Sequence, residues 1–222
     1  DLSGSTAENA FLSGEIEDMQ SRLNVNILVE GGNISANGLA AFQRLFEILG
    51  LPSTELQTMA DNLLRALQPP GSGEPAQGPV PLAPQSPAQL GWLGLSPATV
   101  AALRPHVTVL PGRTPVNINT AGLPVMQAVL PGVTLADAQL LAARRESAPF
   151  RTLADAARVL ESREQAVGGG LAAVASRFFE IRGRLRLGDT TVEERSLVQR
   201  DGLQVRTLQR ERSVFQQAAA AR

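Results

Sequence analysis

The sequence contains no cysteine, no lysine and no tyrosine, and it has one histidine and one tryptophan. Without cysteine there is no disulfide framework, no thiolate metal site and no thiol nucleophile. With lysine absent, all twenty basic residues are arginines, whose guanidinium stays protonated at neutral pH and cannot serve as a general base. The one histidine, His106, sits between Pro105 and a short extended run with no neighbour that makes it a triad base or a metal ligand, so it reads as structural or surface-exposed. A Gly-x-Ser-x-Gly elbow, paired carboxylates flanking a cleft, and a His or Cys ligand cluster are all missing from the sequence. A hydrolase with an unrecognised site ranks last among the readings, and the expectation is a non-catalytic protein without a cofactor. No apolar run reaches the ~20 residues of a membrane helix, and no secretory signal pattern is present. The chain opens abruptly at Asp1 without a methionine, which reads as a fragment with an anchor or signal upstream.

What is present is unevenly spread. The 222 residues suit two small domains better than one. Net charge is −1, yet residues 1–100 carry three arginines against ten acids and residues 101–222 carry seventeen against eleven. Such polarity fits a nucleic-acid face, or equally a subunit packed between neighbours of opposite sign.

Hydrophobic period gives the elements. "STAENAFLSGEIEDMQ" predicts a short helical end and the acidic first half of a strand, with Gly14 as the break. Leu23, Asn24, Val25, Asn26 and Ile27 alternate as a half-buried strand does. From Ser35 to Leu67 a helix hairpin is predicted: Leu39, Phe42, Leu45, Phe46 and Leu49 share one face, Gly50 stops the first helix, and Ser53 or Thr54 caps the second, which turns Leu56, Met59, Leu63 and Leu67 inward. Residues 69–89 are rich in Pro, Gly, Ser and Gln and read as a long surface loop. Ser96 and Pro97 start a short helix that ends at Pro105, and Val107 to Leu110 is extended. "TLAD" occurs at 134–137 and again at 152–155, each time a Thr cap with Asp at the third helical position, and Thr120 is placed to cap "AGLPVMQAVL". A small-residue helix is expected after Gly168 to Gly170. The last quarter reads as an antiparallel meander: Phe179 to Leu187, a turn at Gly188 and Asp189, Thr191 to Arg200, a turn at Asp201 and Gly202, then Leu203 to Leu208. Its single apolar face needs cover, for which the N-terminal strand and helix are natural partners.

Ile118 to Leu160 is similar to the helix-hairpin-helix units of DNA-binding proteins, which keeps a DNA-binding module open as the alternative function. Its hairpin, Pro131, Gly132, Val133, Thr134, lacks the second glycine of that motif, and Asp137 sits where a phosphate would dock. Arg144, Arg145 and Arg151 suit the C-terminal end of a helix dipole, and Arg182, Arg184 and Arg186 suit the polar face of a strand.

Taken in order, two motifs carry a wider likeness. Asp18, Arg22, Leu23, Asn24, Val25 and Asn26 form an Asp-x-x-x-Arg-hydrophobic-Asn-hydrophobic-Asn run, and Asn117, Ile118, Asn119, Thr120 and Ala121 form an Asn-hydrophobic-Asn-Thr-Ala run that follows "LP". With Ser-x-Phe-Phe at Ser176 to Phe179, this order resembles the type II secretion minor pseudopilin K family, GspK. The resemblance implies an α+β fold: a pilin-like antiparallel sheet with an N-terminal helix end, interrupted by a large inserted α-helical domain. The expected division is 1–32 plus 174–222 for the sheet and 33–173 for the insertion, which holds the helix-hairpin-helix-like unit (118–160) and the Pro/Gly-rich loop (69–89). It also implies a non-catalytic subunit at the tip of a periplasmic pseudopilus, anchored in the inner membrane by an N-terminal helix that this sequence lacks, with minor pseudopilins I and J as partners and no nucleic acid. Some members bind calcium through an acidic loop; here the corresponding stretch offers only Glu74, so calcium is not carried over. Phe11 and Leu12 are the candidate partner-binding residues, and Asn117 and Asn119 are expected to brace the exit from strand to helix.

Overall fold

The computed structural model describes residues 10–68, 79–160 and 169–216. In chain order its strands and helices are β1 (Ala10–Asp18), β2 (Leu23–Asn24), β3 (Val29–Glu30), β4 (Asn33–Ile34), α1 (Ala36–Leu49), α2 (Ser53–Leu67), α3 (Pro97–Leu103), β5 (Val107–Thr108) and β6 (Val116–Asn117), continued by α4 (Leu123–Val129), α5 (Leu135–Ser147), α6 (Leu153–Val159), β7 (Ala172–Ala173), β8 (Phe178–Leu187), β9 (Thr190–Asp201) and β10 (Gln204–Gln216). The chain divides into two compact units, Gln20–Ala175, and Asp1–Met19 with Ser176–Arg222. Residues 20–32, assigned to the sheet from sequence, therefore belong to the helical unit. The cause is local: the Leu23 amide donates to the His106 carbonyl at 2.9 Å, and Leu23, Val25, Ile27 and Leu28 are all fully buried in the helical core.

The sheet unit is one four-stranded antiparallel sheet in the order β1-β8-β9-β10. Gly188 and Gly202 take positive φ as first residues of the two-residue turns, where a Cβ would be strained. The sequence reading shortened two strands. Gly14 does not break anything: it lies in the middle of β1 opposite Gly183, and residues 10–18 are strand, whereas the rest of the expected helical end lies outside the described residues. β10 passes Leu208 and runs to Gln216, because a bulge between Thr207 and Gln209 restarts the alternation instead of ending it.

The helical unit is built from two similar brackets. Each starts with a hydrophobic-Asn-hydrophobic-Asn run, passes through helices, and closes with a two-residue parallel bridge: Leu23 and Asn24 against Val107 and Thr108, then Val116 and Asn117 against Ala172 and Ala173. In the first bracket Ser35 caps α1 by accepting from the Gly38 amide, and Gly50 ends it at φ 65. Phe42, Leu45 and Phe46 of α1 and Leu56, Met59 and Leu63 of α2 are buried, each worth roughly 1.5–3 kcal/mol against exposure. Leu67, predicted inward, is exposed. Pro52, not Ser53 or Thr54, is the residue before α2, and it makes no side-chain cap; Glu55 in the first turn instead accepts from the Ser96 amide at 2.9 Å. Of the predicted loop, residues 69–78 lie outside the described residues, while Pro87–Leu93 forms a 3₁₀ helix that buries Leu90 and Leu93. Ser96 caps α3 as expected. In the second bracket Thr134 and Thr152 both form complete capping boxes with Asp137 and Asp155. Leu171 to Val174, expected as helix, is the closing strand and its flanks, since Val116 and Ile118 donate to the Leu171 and Ala173 carbonyls.

Candidate assembly surface

The asparagine runs show why the alternation at 23–27 is not a longer strand. Asn24 is buried, and its Oδ1 accepts from the Asn26 amide at 3.2 Å and the Leu110 amide at 3.1 Å. That short ring turns the chain into a 3₁₀ helix, Val25–Leu28, after only two strand residues. The Asn24 Nδ2 donates to the Gly112 carbonyl and to Thr114 Oγ1, both at 2.9 Å, and Asn26 Nδ2 donates to the Leu110 carbonyl at 2.8 Å. In the second bracket Asn117 Oδ1 accepts from the Asn119 amide at 3.0 Å. Asn119 then accepts from the Phe150 amide at 2.8 Å and donates to the Phe150 and Val174 carbonyls at 2.9 Å each. Thr120 does not cap a helix. Its Oγ1 donates to the Asn117 carbonyl at 3.3 Å, and α4 starts at Leu123 behind Gly122, a start set by Pro124 in the first turn.

Other predicted residues are accounted for separately. Ser176 Oγ donates to Asp18 Oδ2 at 2.6 Å, which ties the end of β1 to the residue that leads into β8. Arg22 is half-buried, and with burial as the larger cause its charge holds the His106 imidazole below its ordinary pKa. Arg145, read from sequence as a dipole-facing cation, turns inward and donates to the Ile118 and Ala121 carbonyls, each at 2.7 Å. Burial lowers its pKa. At the Pro131 to Thr134 hairpin, the Asp137 carboxylate accepts from the Thr134 amide at 2.8 Å and from its hydroxyl at 2.6 Å, so the place where a phosphate would dock already holds an anion.

The sheet presents two unlike faces, fixed by register, because directly paired residues share a side. One face carries Phe11, Arg186, Thr191 and Phe215 in one row, Ser13, Arg184, Glu193 and Ser213 in the next, and Glu15, Arg182, Arg195 and Glu211 in a third. Glu193 is buried beneath Arg184 and Arg195, whose hydrogen bonds, Arg184's first, hold its carboxyl below the usual range. Arg182 and Arg184 of the arginine ladder are thus matched by acids, and Arg186 lies over the Phe11 ring at 4.5 Å. The opposite face carries Leu12, Leu185, Val192 and Val214 in one row across all four strands, Gly14, Gly183, Glu194 and Arg212 in the next, and Ile16, Ile181, Ser196 and Arg210 in the one after. Within the sheet unit Leu12 is 82% exposed, Val214 62% and Leu185 44%, and Val192 between them is half-buried, so the sheet itself gives this apolar row no cover.

Phe11 and Leu12, the candidate partner pair, therefore point to opposite faces, and only Leu12 joins the apolar row. Ile16, Val192 and Val214 were not singled out from sequence. The alternation of Phe179, Ile181, Leu185 and Leu187 marked the β8 residues, but the row needs the register of all four strands, and Val214 lay beyond the predicted end of the last one.

A split antiparallel sheet, completed from both ends of the chain and interrupted in sequence by short helices, defines a pilin-like α+β fold with a helical insertion. Two family models described as type II secretion system (T2SS), protein K match residues 21–112 and 116–176. The chain belongs to the type II secretion system protein K family. It is 29% identical over 189 residues to the type II secretion system protein K of Pseudomonas aeruginosa, an alignment that takes in 78% of this chain and 56% of that protein, so the chain spans about half the length of the curated relative it matches. Its fold is similar to a chain in the crystal structure of the GspK-GspI-GspJ complex from enterotoxigenic Escherichia coli, with TM-score 0.70, 16% identity, and 94% of this chain and 84% of that one covered.

Proposed function

We propose that this chain is the periplasmic part of a non-catalytic subunit at the tip of the type II secretion pseudopilus, where it assembles with minor pseudopilins I and J and takes part in protein export. The observation that carries the reading is the uncovered apolar row of Leu12, Leu185, Val192 and Val214 on a sheet whose other face is a neutralised lattice of charge. An exposed apolar face of this kind marks a surface that another element covers. In the full-length protein that element is an N-terminal helix, which also anchors the subunit in the inner membrane. Membership of the protein K family and the solved complex of a relative with GspI and GspJ support the partners. No cofactor is assigned, and the stretch that would offer a calcium loop contributes Glu74 as its sole acid. The test is to mix the chain with pseudopilin I and J ectodomains and size the product. A ternary peak is expected; a monomer peak unchanged by both refutes the reading, and retention of duplex DNA at low salt would revive the helix-hairpin-helix alternative.

A further inference from the structure

We propose that the bulge-free part of β10, Gln209–Gln216, is a docking edge that accepts an extended strand from a pilin-like partner subunit, antiparallel to β10. The inference rests on the assembly reading above and names the surface by which it happens. The strand order leaves β1 and β10 with a neighbour on one side only among the described residues. The two edges are unequal. β1 has nine residues and carries Glu15, Glu17 and Asp18 near its end, so it is the shorter edge and is guarded by charge. β10 has thirteen residues, about twice the usual strand, and is exposed along nearly its whole length. Natural edges are blunted by charged side chains, proline, bulges or brevity. β10 has a single bulge, at Thr207 and Gln209, and the eight residues after it contain no proline, glycine or register shift, their charges being Arg210, Glu211 and Arg212.

Its side chains do not guard the edge either. Arg210 and Arg212 both reach back to Glu194 on β9, at 3.3 and 2.7 Å, which draws their charge over the sheet. Ser213, Val214, Phe215 and Gln216 are uncharged. Val214 and Phe215 stand on opposite faces, at 62% and 54% exposure, and give an incoming strand an apolar neighbour on either side. β1 runs antiparallel to β10, as β8 and β9 alternate between them, so a similar sheet set with its β1-type edge against β10 continues the antiparallel order without a break. The chemistry fitted is a main-chain ladder of about four residues on each side, with apolar side chains at successive positions of the guest strand.

Residue-resolved amide exchange on the chain, free and mixed with pseudopilin I and J ectodomains, tests this alongside sizing. Every second amide of Gln209–Gln216 is expected to slow at least tenfold in the complex. A complex whose β10 amides exchange at the free rate overturns the edge assignment and leaves the assembly reading standing, whereas no complex overturns both. The same protection produced by concentrating the chain alone makes the guest a second copy and overturns the proposal as stated. Ser213→Pro and Val214→Pro provide a second arm. Adjacent amides point to opposite sides, so one of the two substitutions spares the β9 ladder. The variant that unfolds at the parent temperature is expected to bind I and J at least tenfold more weakly, and undiminished binding counts against the edge.

Discussion

Replacing Asn119 by alanine probes the bracket that closes the second half of the helical unit. The side chain makes a two-way pairing with the backbone of Phe150 and a third bond to the Val174 carbonyl. Phe150 is only 6% exposed, so truncation leaves a buried N–H and a buried C=O without partners. At ~1–3 kcal/mol for each orphaned group, the expected loss is about 3 kcal/mol, a large share of a stability of about 5–15 kcal/mol. For a unit of this size it corresponds to a fall in Tm of roughly 6–12 °C. Asn119→Asp sharpens the argument. It keeps the acceptor for the Phe150 amide but sets a carboxylate oxygen against two carbonyls, so at neutral pH it is expected to cost at least as much as alanine. A carboxyl held this way has a raised pKa in the folded state, and relative to the parent at each pH the variant regains stability as pH falls through that value and it becomes a donor. Denaturant unfolding followed by far-UV circular dichroism, at neutral and mildly acid pH, reads all three proteins. A loss below ~0.5 kcal/mol for alanine, or an aspartate variant more stable than alanine at neutral pH, would refute the account, since either outcome means that the orphaned groups find water.

Three further outcomes follow from the same coordinates. Gly38→Ala, which in an exposed helix gains up to ~1 kcal/mol, is expected here to lose about 2 kcal/mol in chemical denaturation, because the new Cβ would lie 2.1 Å from the Ile27 carbonyl oxygen. Thr134→Ala and Thr152→Ala each remove a capping box and are expected to cost about 1 kcal/mol apiece, additively, by the same measurement. The carboxyls of Glu193 and Glu194 are held low by hydrogen bonds from Arg184 and Arg212 respectively, so their contribution is present above the unfolded carboxylate value near ~4.3 and is lost as pH falls through the lower folded value; acid titration of the sheet unit should show this loss, and Glu193→Gln should flatten it.

Most of the helix signals were legible because they are local. Ser96, Thr134 and Thr152 cap helices by bonding an amide three residues on, and Gly50 ends one by a positive φ, so sequence spacing alone is enough. The failures share the opposite property. Whether Leu23 to Ile27 continues as a strand depends on Asn24 reaching Leu110, 86 positions away, and whether Leu171 to Val174 is helix or strand depends on Val116 and Asn119. Leu67 and Thr120 misled because a residue type suited to a role was taken for the role. The apolar row was half visible: β8 showed its alternation, but a row exists only once four strands are in register, and that register is set by turns at Gly188 and Gly202 together with a bulge near Thr207.

The two asparagine brackets also bear on how an insertion of this length folds without disturbing the sheet that it interrupts. Each bracket gathers its own closing segment: Asn24 and Asn26 seize both backbone groups of Leu110, and Asn119 seizes both backbone groups of Phe150 and the carbonyl of Val174. Each is sealed by a parallel bridge one residue before or at its first asparagine. The segments matched to the protein K family, 21–112 and 116–176, begin at or just before the residues that open these bridges and end a few residues after they close. An asparagine amide is the side chain that imitates a peptide group, with one acceptor and two donors, so a single residue supplies the pairing that a longer strand would otherwise provide. Strands of two residues then suffice, and the helices between them are joined to the rest of the chain at closely spaced ends. The hydrogen bond from Ser176 to Asp18 completes the same logic on the sheet side, since it joins the end of β1 to the segment from which β8 takes up the register that β1 began.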